Sequence, residues 1–239
     1  KSQWQFWVLC LPALLLTFIF KYMPMYGILI AFKKYRPNRG VWGSEWLDPV
    51  LQNFTRFFST PNCWDIIGNT FKIGIVSLIF MYPAPILFAL LLNEIRNRRY
   101  KKIVQTISYI PHFVSTVVLV GMLTGFASVD GMFNQIRELF GLAAVNMNEG
   151  DRYFLLLYVG SAVWQGMGWG SIIYLSALTN VDTSLFDVAD VDGANRWQKM
   201  LHIELPAILP TTMVMLILNT GTVLTQDYTK ILLMQNDTN

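Results

Sequence analysis

The run IGIVSLIFMYPAPILFALLLN, residues 73–93, carries no charged side chain, and EIRNRRYKK, residues 94–102, follows it at once. A helix that crosses the hydrocarbon core of a bilayer needs about 20 apolar residues, and this run supplies them. Its apolar residues do not alternate with polar ones, as Ile75-Val76-Ser77-Leu78-Ile79-Phe80 shows, so a lipid-facing barrel strand is excluded. Helix is the form in which an open chain in lipid satisfies its own backbone. The cluster Arg96, Arg98, Arg99, Lys101 and Lys102 places the loop after the run in the cytoplasm, because short basic loops stay on that side.

Working outward, further uncharged runs cover 2–20, 103–129, 153–181 and 205–226. Together they predict an all-α, polytopic transmembrane helix bundle forming one domain over 1–239. Five spans are expected, at about 4–32, 70–93, 104–128, 153–178 and 205–227. Lys21 interrupts the first, but a lysine stem can carry its ammonium to the interface. No small-residue cleavage site follows Phe20, so the first run reads as a retained helix and not a removed leader. The composition agrees: 54% of residues are hydrophobic and 14% charged, against about 25% charged in ordinary soluble domains.

If 94–102 is cytoplasmic, then 182–204 is too, and 33–65 and 130–152 lie outside. Lys33, Lys34, Arg36, Arg39 and Arg56 strain that assignment, since outer loops are normally poor in basic residues. The denser 94–102 cluster is given more weight. Trp42, Trp46, Phe54, Phe57, Phe58 and Trp64 in the outer loop read first as anchors at headgroup level.

Residues 178–210, LTNVDTSLFDVADVDGANRWQKMLHIELPAILP, hold the charge that the spans lack. Ser184-x-x-Asp187 has the form of a helix capping box. Leu185, Val188, Ala189 and Asp192 fall at helical spacing, and Gly193 then permits a turn. A second helix is expected from Ala194 through Leu201, with Pro206 and Pro210 marking entry into the last span. Pattern alone leaves two readings even: a stiff lever presented to another protein, or an amphipathic helix lying on the membrane.

The segment from Phe186 to Ala194, followed by Ile203-Glu204-Leu205-Pro206 and Pro210, resembles the EAA loop of ABC importer permeases. Pro24-Met25-Tyr26-Gly27, Asn69-Thr70, Leu91-Leu92-Asn93-Glu94, Tyr109-Ile110-Pro111 and Trp164-Gln165-Gly166-Met167-Gly168-Trp169 are similar to the polysaccharide and complex-carbohydrate branch of that family. The resemblance implies that Asp187, Val188, Ala189, Asp192, Gly193 and Ala194, with Leu205 and Pro206, couple the chain to an ATPase. Asp187 stands where the motif usually has glutamate, and Val188 where it usually has alanine.

The implied partners are a second homologous permease, an ATP-binding cassette ATPase dimer holding ATP and magnesium, and an extracellular sugar-binding protein, all at a bacterial cell membrane. The chain itself is expected to bind no cofactor, metal or nucleic acid. Members of the family usually have a sixth span after the equivalent of Ile231 to Asn236, and its absence before Asn239 reads as truncation.

Trp164, Gln165, Trp169, Asn219, Thr222 and Gln226 are candidates for a sugar path, because aromatic faces and amides suit pyranose rings. For each singly, interfacial anchoring or helix-to-helix hydrogen bonding is the plainer reading. Gly166, Gly168 and Gly170 suit close helix packing, and Asp227 reads as a cap on the outer end of the fifth span. No Walker glycine-lysine motif is present, so ATP hydrolysis belongs to another chain. His202 is not at a ligand spacing from Asp187, Asp190 and Asp192, so a metal site is not expected. The competing class is a self-contained secondary transporter or channel, disfavoured because no internal repeat or mid-span acid is visible. A membrane scaffold without transport is a weaker third.

Overall fold

The structure is a computed structural model and describes residues 4–235. Where the sequence read as one domain, the fold divides into two compact units, Lys1–Gly68 and Asn69–Asn239. Among the described residues there is no strand, only an isolated antiparallel bridge between Lys33 and Trp46.

In the first unit, α1 (Trp4–Thr17) continues through a π turn, Phe18–Tyr22, into a 3-10 stretch, Met23–Phe32. Pro24 has no N–H to give the preceding turn, which ends regular α-helical bonding there. Two short helices follow, α2 (Gly40–Gly43) and α3 (Gln52–Phe58). The division falls within α4 (Cys63–Met81), and in the second unit Pro83 opens α5 (Pro83–Asn93) after the single residue Tyr82.

The second unit goes on with α6 (Arg98–Tyr109), a 3-10 turn at Ile110–Phe113, α7 (Thr116–Ala127) and α8 (Met132–Leu139). The expected third span is therefore broken, because Pro111 cannot donate to the turn before it. Then come α9 (Asp151–Leu178), α10 (Thr183–Val191), α11 (Arg196–Lys199), a π turn at Met200–Glu204, α12 (Leu205–Thr220) and α13 (Tyr228–Met234).

Among the described residues, four stretches are long and apolar enough to cross a membrane: Phe6–Phe32, Cys63–Asn93, Thr116–Leu139 and Arg196–Thr220. The fourth expected span is α9, 28 residues long, which is not one of these stretches. Its middle, Gly160 through Gly170, holds four glycines together with Ser161 and Gln165. The physical reason is its position. Tyr158, Val159, Ser161, Ser171, Tyr174, Leu175 and Leu178 of α9 are all buried. A helix wrapped by protein has less need of lipid-soluble side chains than one at the rim. The place of a sixth span, beyond Asn236, lies outside the described residues.

The core joins Ile86, Ala89, Leu90 and Leu92 of α5 to Tyr174, Leu175 and Leu178 of α9, with Met200 and Ile208. It sits at the end of the bundle where α9 hands over to α10. Glycine sets the closest approaches. An added Cβ on Gly168 would stand 2.0 Å from the Ser108 carbonyl oxygen, and one on Gly74 2.3 Å from that of Val223.

Candidate functional site

The segment after α9 is a braced elbow. The Asp182 side chain caps α10 by accepting the Ser184 N–H at 2.9 Å. The cap expected at Ser184 is therefore displaced by two residues, since a carboxylate already stands where the first free amides of α10 point. That hydrogen bond holds the Asp182 carboxyl below its ordinary pKa. At the far end the Ala194 N–H donates to the Ala189 carbonyl at 2.8 Å, and Gly193 takes φ +75°, a left-handed conformation costly for other residues.

Asn195 and Gln198 then form a reciprocal capping box, at 3.0 and 2.7 Å. The helix expected to stop at Leu201 does not stop. It runs through the π turn into α12 without a break. Pro206 comes directly after the π turn, and its missing N–H cannot close an ordinary α-helical bond there.

Lys199 pairs with Asp190 across the elbow. Val188, Val191 and Trp197 are 60%, 89% and 64% exposed, so the elbow's apolar side has no cover within this chain. Ala189, Asp192, Gly193 and Ala194 share a shallow groove with Gln198 and His202. Asp187 is exposed on α10, and Leu205 packs on the core behind the elbow.

One anchoring group went unnoticed in the sequence. Glu204 is 2% exposed and accepts a hydrogen bond from Asn93 Nδ2 at 2.7 Å, while Lys101 Nζ donates to Asn93 Oδ1 at 3.2 Å. This chain ties the end of α5 and the basic α6 to the root of the elbow. The available signal was an acid and an amide placed at the ends of two uncharged runs.

A cavity of about 470 Å³ opens between α4, α9 and the α12–α13 connection. Gln165, Asn219, Thr222 and Gln226 all line it. Gln165 Nε2 also donates to the Val114 carbonyl at 2.8 Å, a backbone group freed by the break at Pro111. Asn219 Nδ2 donates to Met215 O at 2.7 Å.

Trp164 lines a separate apolar groove with Ile107, Pro111 and Met167. Trp169 is likewise off the cavity wall but stacks on His112, which is on it, with centroids 4.7 Å apart. The sequence did not point to Tyr158 or Lys230. Lys230 is buried, and its Nζ donates to the Tyr158 carbonyl at 2.9 Å and lies 4.7 Å from that ring's centroid. Asp227 caps α13, accepting the Lys230 N–H at 3.1 Å, and does not cap α12, which ends at Thr220. Among the described residues no group of histidine, cysteine and carboxylate side chains suits a metal ion.

Residues 81–226 match the protein family described as the binding-protein-dependent transport system inner membrane component. Over 239 residues the chain is 40% identical to the polygalacturonan/rhamnogalacturonan transport system permease protein YteP of Bacillus subtilis, covering 100% of this chain and 74% of that one. It is also 40% identical, over 241 residues with the same coverage, to the protein LplB of Bacillus subtilis. Among solved structures, a bacterial ABC transporter that imports the acidic polysaccharide alginate superposes with a TM-score of 0.84 at 34% identity, over 98% of this chain and 78% of that one. The alginate transporter in complex with an alginate pentasaccharide-bound periplasmic protein gives 0.86 at 34% identity, over 99% and 78%.

Proposed function

This chain belongs to the family of binding-protein-dependent transport system inner membrane components, and from that premise we propose that it is a membrane-spanning subunit of an ATP-driven oligosaccharide importer. The observation that carries the reading is the elbow of α10 and α11. It is capped at each start, crossed by an ion pair, rooted in the buried core, and leaves Val188, Val191 and Trp197 uncovered. A stiff helix with a bare apolar face transmits force to a partner better than a loose loop does.

The partner is a separate ATPase dimer, engaged through Asp187, Val188, Ala189, Asp192, Gly193 and Ala194. A second permease and an extracellular sugar-binding protein complete the assembly in the bacterial cell membrane. ATP binding closes the ATPase pair, the elbow moves with it, and α9 and α12 shift because the elbow is continuous with α12 and close-coupled to α9. The cavity bounded by Gln165, Asn219, Thr222 and Gln226 is this subunit's share of the sugar path. Fragments of acidic polysaccharides are the substrates to test first, given the polygalacturonan and alginate transport of the relatives.

Gly193→Pro and Ala189→Glu test the coupling. Proline cannot take the φ of +75° found at Gly193, and glutamate places a charge in the groove at Ala189. Each is expected to abolish sugar uptake and co-purification of the ATPase. Uptake at the wild-type rate by both variants rules the coupling assignment out.

A further inference from the structure

The wall of the cavity between α4, α9 and the α12–α13 connection holds a charge that sugar hydroxyls do not need. Lys230 is 4% exposed and lines the cavity beside Tyr158 and Asp227. Burying an ammonium is costly unless it is paired. The Nζ donates to the Tyr158 carbonyl at 2.9 Å and lies 4.7 Å from that ring's centroid, contacts that steady the charge without neutralising it. An ammonium has three N–H groups, and the Tyr158 carbonyl takes one. Lys230 takes part in neither ion pair found among the described residues. Asp227, the carboxylate on the same wall, is held by other donors. Its Oδ1 accepts the Lys230 backbone N–H at 3.1 Å and its Oδ2 the Thr116 hydroxyl at 3.3 Å.

The amides of the wall are set up differently. Gln165, Asn219 and Gln226 each spend an N–H on a backbone carbonyl, of Val114, Met215 and Val223 in turn. The side-chain oxygens of Gln165 and Asn219 remain as acceptors, which suit sugar hydroxyls and not a carboxylate. Among the described residues no other lysine or arginine lines the cavity, and His112 lies flat against Trp169.

We infer that Lys230 reads the carboxylate of a uronic-acid unit in this cavity, so that the subunit favours acidic over neutral oligosaccharides. The ammonium keeps its bond to Tyr158 and gives a second N–H to the substrate carboxylate. That bond is charge-assisted on both sides and stronger than one to a neutral hydroxyl. The hydroxyls of the same unit meet the oxygens of Gln165 and Asn219. The inference rests on the importer reading, and on the cavity being this subunit's share of the sugar path.

The test uses the assembled transporter in nanodiscs without its binding protein, so that selection by that protein does not enter. The probes are trigalacturonate and its fully methyl-esterified form, which has the same skeleton and no charge. Binding is read by ligand-observed NMR titration. The wild type is expected to hold trigalacturonate more tightly than the ester. Lys230→Gln should weaken trigalacturonate about tenfold and leave the ester unchanged. Asp227→Asn keeps an acceptor for the cap and removes a negative charge from the wall, so it should tighten trigalacturonate and not the ester.

Equal loss of both probes in Lys230→Gln would make Lys230 a structural tether and overturn the inference. So would trigalacturonate binding at the wild-type strength in that variant, or no gain in Asp227→Asn. If the wild type holds both probes alike, the sugar path stands and the role of Lys230 falls. If it holds neither, the sugar-path reading of the cavity fails first and the inference goes with it.

Discussion

At Gly168 the structure leaves no room for any side chain. An alanine Cβ would sit 2.0 Å from the Ser108 oxygen, a backbone atom that cannot rotate away. At Gly166, two residues earlier, nothing lies within 4 Å. Overpacking a tight contact costs about 1–3 kcal/mol and sometimes more. Gly168→Ala is therefore expected to lower the melting temperature of the purified complex by several degrees, while Gly166→Ala leaves it in place. Equal melting points for the two would show that α6 and α9 do not approach as described.

The sequence showed small residues in the middle of α9 and suggested close packing. It did not tell Gly168 from Gly166, because that difference depends on which carbonyl lies opposite. Gln165 shows the same limit. Its residue type admits a sugar contact or a structural bond, and the Val114 carbonyl opposite it is set by a break fifty residues away.

The elbow shows what is legible for a whole element. Helix, turn and helix over 183–204 follow from apolar spacing and from Gly193, and the structure has all three. The caps were less legible. Ser184 and Asp187 satisfy the capping pattern, but Asp182 stands two residues earlier and reaches the Ser184 amide first. The π turn at Met200–Glu204 ends two residues before Pro206, as the one at Phe18–Tyr22 ends two before Pro24; a proline removes the donor of an ordinary α turn, but the pattern does not say how the turn adjusts.

Replacing Asn195 with alanine removes a cap worth about 1 kcal/mol and should loosen the elbow without unfolding the bundle. Hydrogen exchange is expected to quicken at 196–199 and to stay slow in α9. Exchange at the wild-type rate over 196–199 would show the capping box to be idle. The Asp182 cap carries a pH sign. Its carboxyl pKa is lowered in the fold, so its contribution is whole at neutral pH and is lost as the pH falls through that lowered value. Asp182→Asn should remove this acid sensitivity while keeping an acceptor for the Ser184 amide.

For the molecule as a whole, the count and order of apolar runs were readable because lipid imposes one length on every span. The character of α9 was not, because a central helix answers to its protein neighbours and not to lipid. What ties the reading together is sidedness: residues 94–102 and the elbow must face the cytoplasm, and 130–152 the exterior. The structure supplies two well-exposed reporters outside the apolar stretches, Val191 at 89% and Phe140 at 78%. With Cys10 and Cys63 replaced by serine, a cysteine at Val191 should react with a membrane-impermeant maleimide only after the cells are opened. A cysteine at Phe140 should react in intact cells. The opposite pattern would put the elbow outside, where no ATP-hydrolysing partner could reach it. The coupling assignment therefore stands on one orientation, and a pair of single-cysteine chains decides it before any partner is purified.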